Sequence, residues 1–456
     1  MPRKKTIKTV VSPKKTEEKP KKPIQLLRGM KDTLPEIQDV WDYVRNEVEG
    51  LAQDYSYSRI DTPVLEETNL FTRSVGENTD IVEKEMFSFI DKGGDHVSLR
   101  PEGTAGIARA YIEHGMLNQP QPVRLYYWGP FFRYDRPQAG RYRQFHQFGF
   151  EAIGDAQPII DAQLIVMCFS LYRKIGLPVI IQINSVGCKN CRKEYEQLLI
   201  DYLTPRKKFL CEDCKRRMQK NSLRILDCKN PECRELIQDA PQLVDHLDEE
   251  CKNHFVKVLE YLDETEVAYN LNPYLVRGLD YYTKTTFEIY LEGKENDSQA
   301  VLGGGGRYDD LIELLGGRPT PACGFASGIE RLALSIREKE IIVPTAPKPD
   351  VFIAQLGESA KKKALKLVEE LRQKKMKVSC NFSKDGLKNQ LSLASRLGVK
   401  FSLILGQKEI LDRTVLIRDM ESGSQEVVDF NRVYDELKKK IEKIQPIIQN
   451  NHRIGG

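Results

Sequence analysis

Apolar residues recur at three- and four-residue intervals between positions 36 and 55, at Ile37, Val40, Trp41, Val44, Val48 and Leu51. A stripe with that spacing predicts an amphipathic helix. The period then shortens. SRIDTPVLE, carrying Pro63, reads as a strand, and MFSFI and HVSLR read as a strand pair around the turn DKGGD. VRLYYWGPFFRY (123–134) and FHQFGFEAIG (145–154) are aromatic strands joined by the polar loop YDRPQAGRYRQ. So short a connection predicts an antiparallel pair, because parallel neighbours need a long crossover.

From about 190 to 262 the chain turns helical, charged and cysteine-bearing, which predicts an inserted subdomain. Strand patterns return at 276–291 and 298–303, and a helix follows the glycine run. After Pro344 and Pro347, PDVFIAQL, a Lys-rich helix to about 376, MKVSCNF, a helix 387–397, KFSLILG, TVLIRD and a helix near 432–444 alternate β and α. That predicts a separate α/β domain at 346–445, followed by a short tail at 446–456. No internal repeat is visible.

Composition narrows the class. In 456 residues, 40% hydrophobic and 30% charged content supports large cores and excludes a mostly disordered chain. The net charge of +4 is uneven: residues 1–23 hold nine Lys/Arg and two Glu, +7, leaving about −3 for the rest. Residues 1–23 read as a disordered basic tail, and any nucleic-acid site in the body must be a local patch. No apolar run approaches the roughly 18–20 residues of a membrane span. The N-terminus lacks the apolar segment of a secretory signal. Ten Cys without a scaffold-like spacing suit a reducing cytoplasm.

Candidate chemistry lies in four places. Arg133, Arg136, Arg141 and Arg143 fall within eleven residues, and such a cluster repels itself unless anions neutralise it. A guanidinium offers phosphate two parallel charged hydrogen bonds, so a strand-flanked Arg hairpin suits a nucleotide; a solvated loop is the plainer reading. LRPEGTAG sets Glu102 and Thr104 in a strand-end turn, and Glu151 sits among apolar neighbours in FGFEAIG, where a carboxylate needs a partner. LVRGLDYYTKTTFE brings Arg277 and a Tyr pair onto strand-rich sequence. Gly303 to Gly306 permit close backbone approach, a mobile lid or a simple hairpin, but lack the Gly-Lys-Ser/Thr ending of a P-loop.

Together LRPEGTAG, GPFFRYDRPQAGRYRQFHQFGFE, LVRGLDYYT, GGGGRYDDL and ACGFASGIERL resemble the histidyl-tRNA synthetases, class II aminoacyl-tRNA synthetases, from Arg28 to about residue 445. The resemblance implies an α+β fold: an antiparallel catalytic sheet flanked by helices over 24–345, the helical insertion, and an α/β anticodon-binding domain. It implies that histidine attacks ATP to give histidyl-adenylate and pyrophosphate, and that the histidyl group then passes to the 3′ end of tRNA-His. By resemblance, Arg133 and Arg277 flank the α-phosphate, Arg141 and Arg331 hold the distal phosphates with Mg²⁺, and Phe145 stacks on adenine. Glu102 and Thr104 receive the substrate's α-amino group and Gln147 orients it. Glu151 and Tyr282 read the imidazole, with Tyr281 and Tyr308 completing the pocket. Arg136 and Gln138 meet the tRNA acceptor end, and Pro63 falls where the class places a homodimer-interface proline. A regulatory subunit of ATP phosphoribosyltransferase shares the synthetase core, but usually lacks the tail domain and parts of the Arg motifs, all of which this chain has.

The cysteines depart from the resemblance. Cys188–Cys191 and Cys211–Cys214 are CxxC pairs separated by residues 192–210, a four-thiolate zinc spacing, and Cys228 and Cys233 form a looser third pair. The expectation is a structural Zn²⁺ held by Cys188, Cys191, Cys211 and Cys214, with ordinary reduced cysteines as the other reading. Cys251 is isolated in sequence.

Overall fold

The computed structural model describes residues 23–451, except 139, 296–299, 346–347 and 384–385. Nearly all of the basic N-terminal tail therefore lies outside the described residues, as do positions 452–456. Contacts divide the chain into two units between Pro344 and Thr345. Among the described residues, no helix is long and apolar enough to cross a membrane.

The first helix runs Pro35–Asp54 with proline in its first turn, where a missing N–H costs nothing. Its stripe of Val40, Trp41, Val44, Val48 and Leu51 is buried, as the spacing predicts. The central sheet has eight strands in the spatial order Ser58–Arg59, Val123–Phe132, Gln144–Ile153, Ala322–Gly328, Val301–Arg307, Thr283–Leu291, Val179–Ser185 and Tyr269–Leu271. The six long strands pair antiparallel, and the two short edge strands pair parallel. The main hairpin runs in unbroken register from Val123↔Ile153 to Phe132↔Gln144.

Alternation along these strands decides which residues can share a site. On Gln144–Ile153, Phe148, Phe150 and Ala152 enter the core beneath the Pro35–Asp54 and Pro158–Ile175 helices. The intervening Phe145, Gln147, Gly149 and Glu151 therefore share the opposite face. The glycine run is neither lid nor hairpin: Gly303 to Gly306 lie within Val301–Arg307, in the middle of the sheet. Arg307 is fully buried, ion-paired with Asp161 and bonded to Asp309 at 3.1 Å. Leu65–Glu67, Phe87–Ile90 and His96–Leu99 form a small separate sheet.

The insertion leaves the sheet after Ser185 and carries helices Lys189–Leu203, Glu212–Lys220 and Pro231–Ile237. The next helix, Glu249–Glu264, is core rather than insertion: Phe255, Val258 and Leu262 pack in the central cluster. This helix, within the stretch of about 190–262 expected as the insertion, thus shares the core of the central sheet.

The second unit has a five-stranded sheet in the order Val378–Cys380, Val351–Gln355, Phe401–Leu405, Thr414–Asp419, Gln425–Asp429. The first three are parallel and the last two antiparallel. Val351 and Ile353 join one hydrophobic cluster and Phe352 and Ala354 another, so helices cover both faces, as a parallel sheet requires. The final helix, Val433–Asn451, runs beyond the expected end at 444.

Candidate active site

A cavity of about 1000 Å³ opens over the glycine-rich middle of the sheet. Arg133, Arg141, Phe145, Gln147, Arg277 and Arg331 all line it. They come from five segments, and the sheet is what gathers them. Arg133 follows the first hairpin strand, and its Nε donates to the Pro101 carbonyl at 2.9 Å. Its guanidinium lies 5.5 Å from the Phe145 ring centre. Burial lowers its proton affinity, the nearby carboxylates of Glu85 and Glu102 oppose that, and Arg277 adds a smaller lowering. Arg277 ion-pairs with Glu288. Burial alone would lower its proton affinity too, but Glu288 outweighs it and keeps the cation locked on. Glycine in the sheet is what admits it: a Cβ at Gly304 would stand 2.8 Å from Arg277 Nη1. Arg141, at the rim, pairs with Asp135 at 3.2 Å, and Arg331 donates to the Val301 carbonyl at 2.8 Å.

The other predicted residues form a buried cluster beside the cavity. Glu102 accepts from the backbone N–H groups of Thr104 and Ala105, at 2.7 and 2.8 Å, capping the Thr104–Glu113 helix. The Thr104 hydroxyl donates to Glu151 Oε1 at 2.8 Å and the Tyr308 hydroxyl to Glu151 Oε2. Tyr281 reaches Glu102 at 3.5 Å. Glu151 is fully buried, and desolvation pushes its carboxyl up to about 8 despite those two donors. Burial likewise raises Glu102.

An aromatic path joins the two groups. Arg277 lies 5.8 Å from the Tyr282 ring, Tyr282 lies 4.8 Å from Tyr281, and Tyr281 lies 5.6 Å from Tyr308, which holds Glu151. The hydroxyls on Glu151 are those of Tyr308 and Thr104. Arg136 and Gln138 are not in the cavity; both are exposed on the loop, with Gln138 bridged to Arg141.

Sequence reasoning missed three participants. Tyr127 lies across Gly149, with a buried hydroxyl that finds no hydrogen-bond partner among the described residues. A Cβ at Gly103 or Gly149 would collide with its ring. Glu288 is signalled only by an acid within the strand TTFEIY. Asp80, which pairs with Arg217 and Arg224 of the insertion, carries no sequence signal at all.

The zinc expectation is wrong in its partition. Cys211 and Cys214 gather with Cys228 and Cys233, whereas Cys188 and Cys191 gather with Asp248 and Cys251. Cys188 and Cys191 thus share no site with Cys211 and Cys214. Spacing within a CxxC pair is local, but which pairs meet depends on how the intervening helices return.

For Mg²⁺, the cavity offers the carboxylates Asp80, Glu85, Asp135, Asp227, Glu288, Glu295 and Glu330. Among the described residues, no three of them converge on one point. That fits an ion held by one or two carboxylates, water and substrate phosphate rather than by a protein cage.

The family described as histidyl-tRNA synthetase matches residues 29–332, and an anticodon binding domain matches 350–440. A histidine–tRNA ligase of Dehalococcoides mccartyi is 46% identical over 91% of this chain and 99% of its own length. One from Pelotomaculum thermopropionicum is 44% identical over 91% of this chain and 97% of its own. The crystal structure of apo S. aureus histidyl-tRNA synthetase superposes with a TM-score of 0.76 at 38% identity, covering 91% of this chain and 100% of that one. The chain therefore belongs to the histidyl-tRNA synthetase family, as a histidine–tRNA ligase.

Proposed function

We propose that the ligase reaction uses the two groups of residues in sequence. Histidine's carboxylate oxygen attacks the α-phosphorus of ATP, the bond to the β-phosphate oxygen breaks, and pyrophosphate leaves. A hydroxyl of the terminal ribose of tRNA-His then attacks the acyl carbon and AMP leaves. The first step concentrates negative charge on the α-phosphate oxygens, where preorganised cations act most strongly. Arg133 and Arg277 take that place, and their lining of one cavity is the observation that carries the reading. Arg141 and Arg331 hold the distal phosphates, with Mg²⁺ arriving on ATP and supplying countercharge. Phe145 stacks on adenine.

Histidine's α-amino group is received by Glu102 with Thr104, and Gln147 orients it. Glu102 caps a helix with both oxygens, yet a carboxylate has lone pairs to spare. Glu151, Tyr282, Tyr281 and Tyr308 surround the imidazole. A neutral imidazole has one donor and one acceptor, so a carboxylate and a phenol match both. An apolar isostere would leave those buried groups unpaired.

The exposed Arg136 and Gln138 suit contact with the acceptor end, and the second unit suits the anticodon. Deleting residues 345–456 should reduce charging of tRNA-His by at least about 10²-fold while histidine-dependent ATP–pyrophosphate exchange changes less than about threefold. Equal loss of both would make the second unit a structural support instead.

The working form is a homodimer in the cytoplasm. Val64, Leu65, Phe89 and Ile90 are exposed on and beside the small sheet next to Pro63, the kind of apolar patch that marks an interface. Sedimentation equilibrium should return twice the chain mass of 52.4 kDa, and a monomer at micromolar concentration rejects the dimer.

A further inference from the structure

We propose that the insertion holds two zinc ions: an inner one on Cys211, Cys214, Cys228 and Cys233, and an outer one on Cys188, Cys191 and Cys251 with Asp248 as the fourth ligand. Within each set the ligand atoms all lie within 4.8 Å of one another. Zinc at about 2.3 Å from each sulfur of a tetrahedron sets the sulfurs about 3.8 Å apart. Cys211 and Cys228 are 3.9 Å apart, and Cys188 and Cys191 are 3.6 Å apart. A disulfide would bring sulfurs to about 2.0 Å.

A second observation points the same way. The Cys211 backbone N–H donates to Cys233 Sγ at 3.2 Å, and the Asp248 N–H to Cys191 Sγ at 3.2 Å. A thiolate is a far better acceptor than a thiol, so these bonds suit metal-bound sulfur. The pairs also sit where thiolates are favoured. Cys188 and Cys211 precede helices Lys189–Leu203 and Glu212–Lys220, with Cys191 and Cys214 in their first turns, beside the positive helix ends. Asp248 divides its oxygens. Oδ1 caps the Glu249–Glu264 helix through the Cys251 N–H at 2.7 Å, while Oδ2 lies 3.2 Å from Cys188 Sγ.

The two sites nest along the chain. The outer one joins the strand at which the insertion leaves the sheet to the helix by which it returns, and so clips its neck. The inner one staples the middle. A small helical subdomain gains most from such closures, because each removes freedom from the unfolded chain. The segment from Cys214 to Gln238 reaches the active site. Its Arg217 and Arg224 pair with Asp80 at 3.1 and 3.2 Å, Lys220 pairs with Glu83 at 2.9 Å, and Asn221 donates to Asp280 at 2.7 Å. Leu226 to Lys229 line the cavity itself. The inner zinc thereby holds one wall of the substrate cavity.

The test is metal analysis of the full-length protein purified under reducing conditions without chelator, followed by exchange of zinc for cadmium and cadmium NMR. Two zinc ions per chain are expected, with one cadmium resonance typical of four thiolates and another displaced by an oxygen ligand. Fewer than two ions per chain, or two resonances that both report four sulfurs, would overturn the assignment. Asp248→Ala should shift only the second resonance, since water can replace the carboxylate without dismantling the site; movement of both, or of neither, rejects Asp248 as a ligand. None of these readouts depends on catalytic activity.

Discussion

Arg277→Ala should lower histidine-dependent ATP–pyrophosphate exchange by about 10³-fold or more. Loss of one neutral donor at a developing oxyanion costs about 10²–10³-fold, and a buried cation sets the larger end of that range. Two features of Arg277 favour a large effect. It lines the same cavity as Arg133, so removing it leaves one of the two cations proposed for the α-phosphate. Its partner Glu288 then faces the phosphate without countercharge, and a carboxylate repels the charge the arginine would have attracted. The fold is expected to weaken without failing. Glu288 still accepts from the Tyr290 hydroxyl at 2.7 Å, and part of the pair is open to water, so the loss should stay near the lower end of the roughly 3–5 kcal/mol typical of a broken buried pair. Arg277→Lys keeps the charge but loses the fork, and should fall between wild type and Ala. Exchange by Arg277→Ala within tenfold of wild type, measured on protein that still melts cooperatively, would remove Arg277 from the chemistry.

Glu151→Gln should cripple histidine use and yet stabilise the unliganded protein at alkaline pH. The carboxyl stands at about 8 in the folded chain against an ordinary 4.5, because burial strips its water and the hydroxyls of Tyr308 and Thr104 replace only part of it. Its folded proton affinity is raised, so the favourable contribution is complete below pH 4.5 and is lost as pH climbs through 8. Between those values the folded state holds a proton that the unfolded state has released, and stability falls by about 1.4 kcal/mol per pH unit from this group alone. Gln has no proton to lose and approximates the neutral acid in shape. Melting temperatures of wild type and variant should diverge in the variant's favour from pH 5 to pH 8 and then run parallel. kcat/KM for histidine should fall by at least about 10²-fold, since the amide, unlike the acid, cannot release a proton to become the charged acceptor that the proposed imidazole contact needs. Parallel melting curves from pH 5 to 8 would mean that Glu151 is ionised in the free protein.

Much of this was legible in one dimension. The helix at 35–54 follows from a six-residue stripe, and the central hairpin from two aromatic strands with a short polar loop. Phe145 and Gln147 lie two apart on one strand and so share a face, whereas Arg133 and Arg141, on the loop, were joined to them only by the resemblance. The glycine run was ambiguous for a physical reason. Glycine suits a lid, a turn or a crowded sheet equally, and only neighbours distinguish them. Arg277 beside Gly304 is such a neighbour, and it lies twenty-seven positions away in the chain.

The sequence by itself determined the residue types, the local periodicity and the motifs, because helix and strand patterns are written by bonds and side chains a few residues apart. Tertiary structure alone decided the pairings across long loops. It set Tyr308 and Thr104 on Glu151, brought Asp80 under the insertion's arginines, and divided the cysteines into two sets rather than joining the nearest CxxC pairs. Each of these depends on where a chain returns after tens of residues, and that is governed by the packing of the whole core, which no short window of sequence contains.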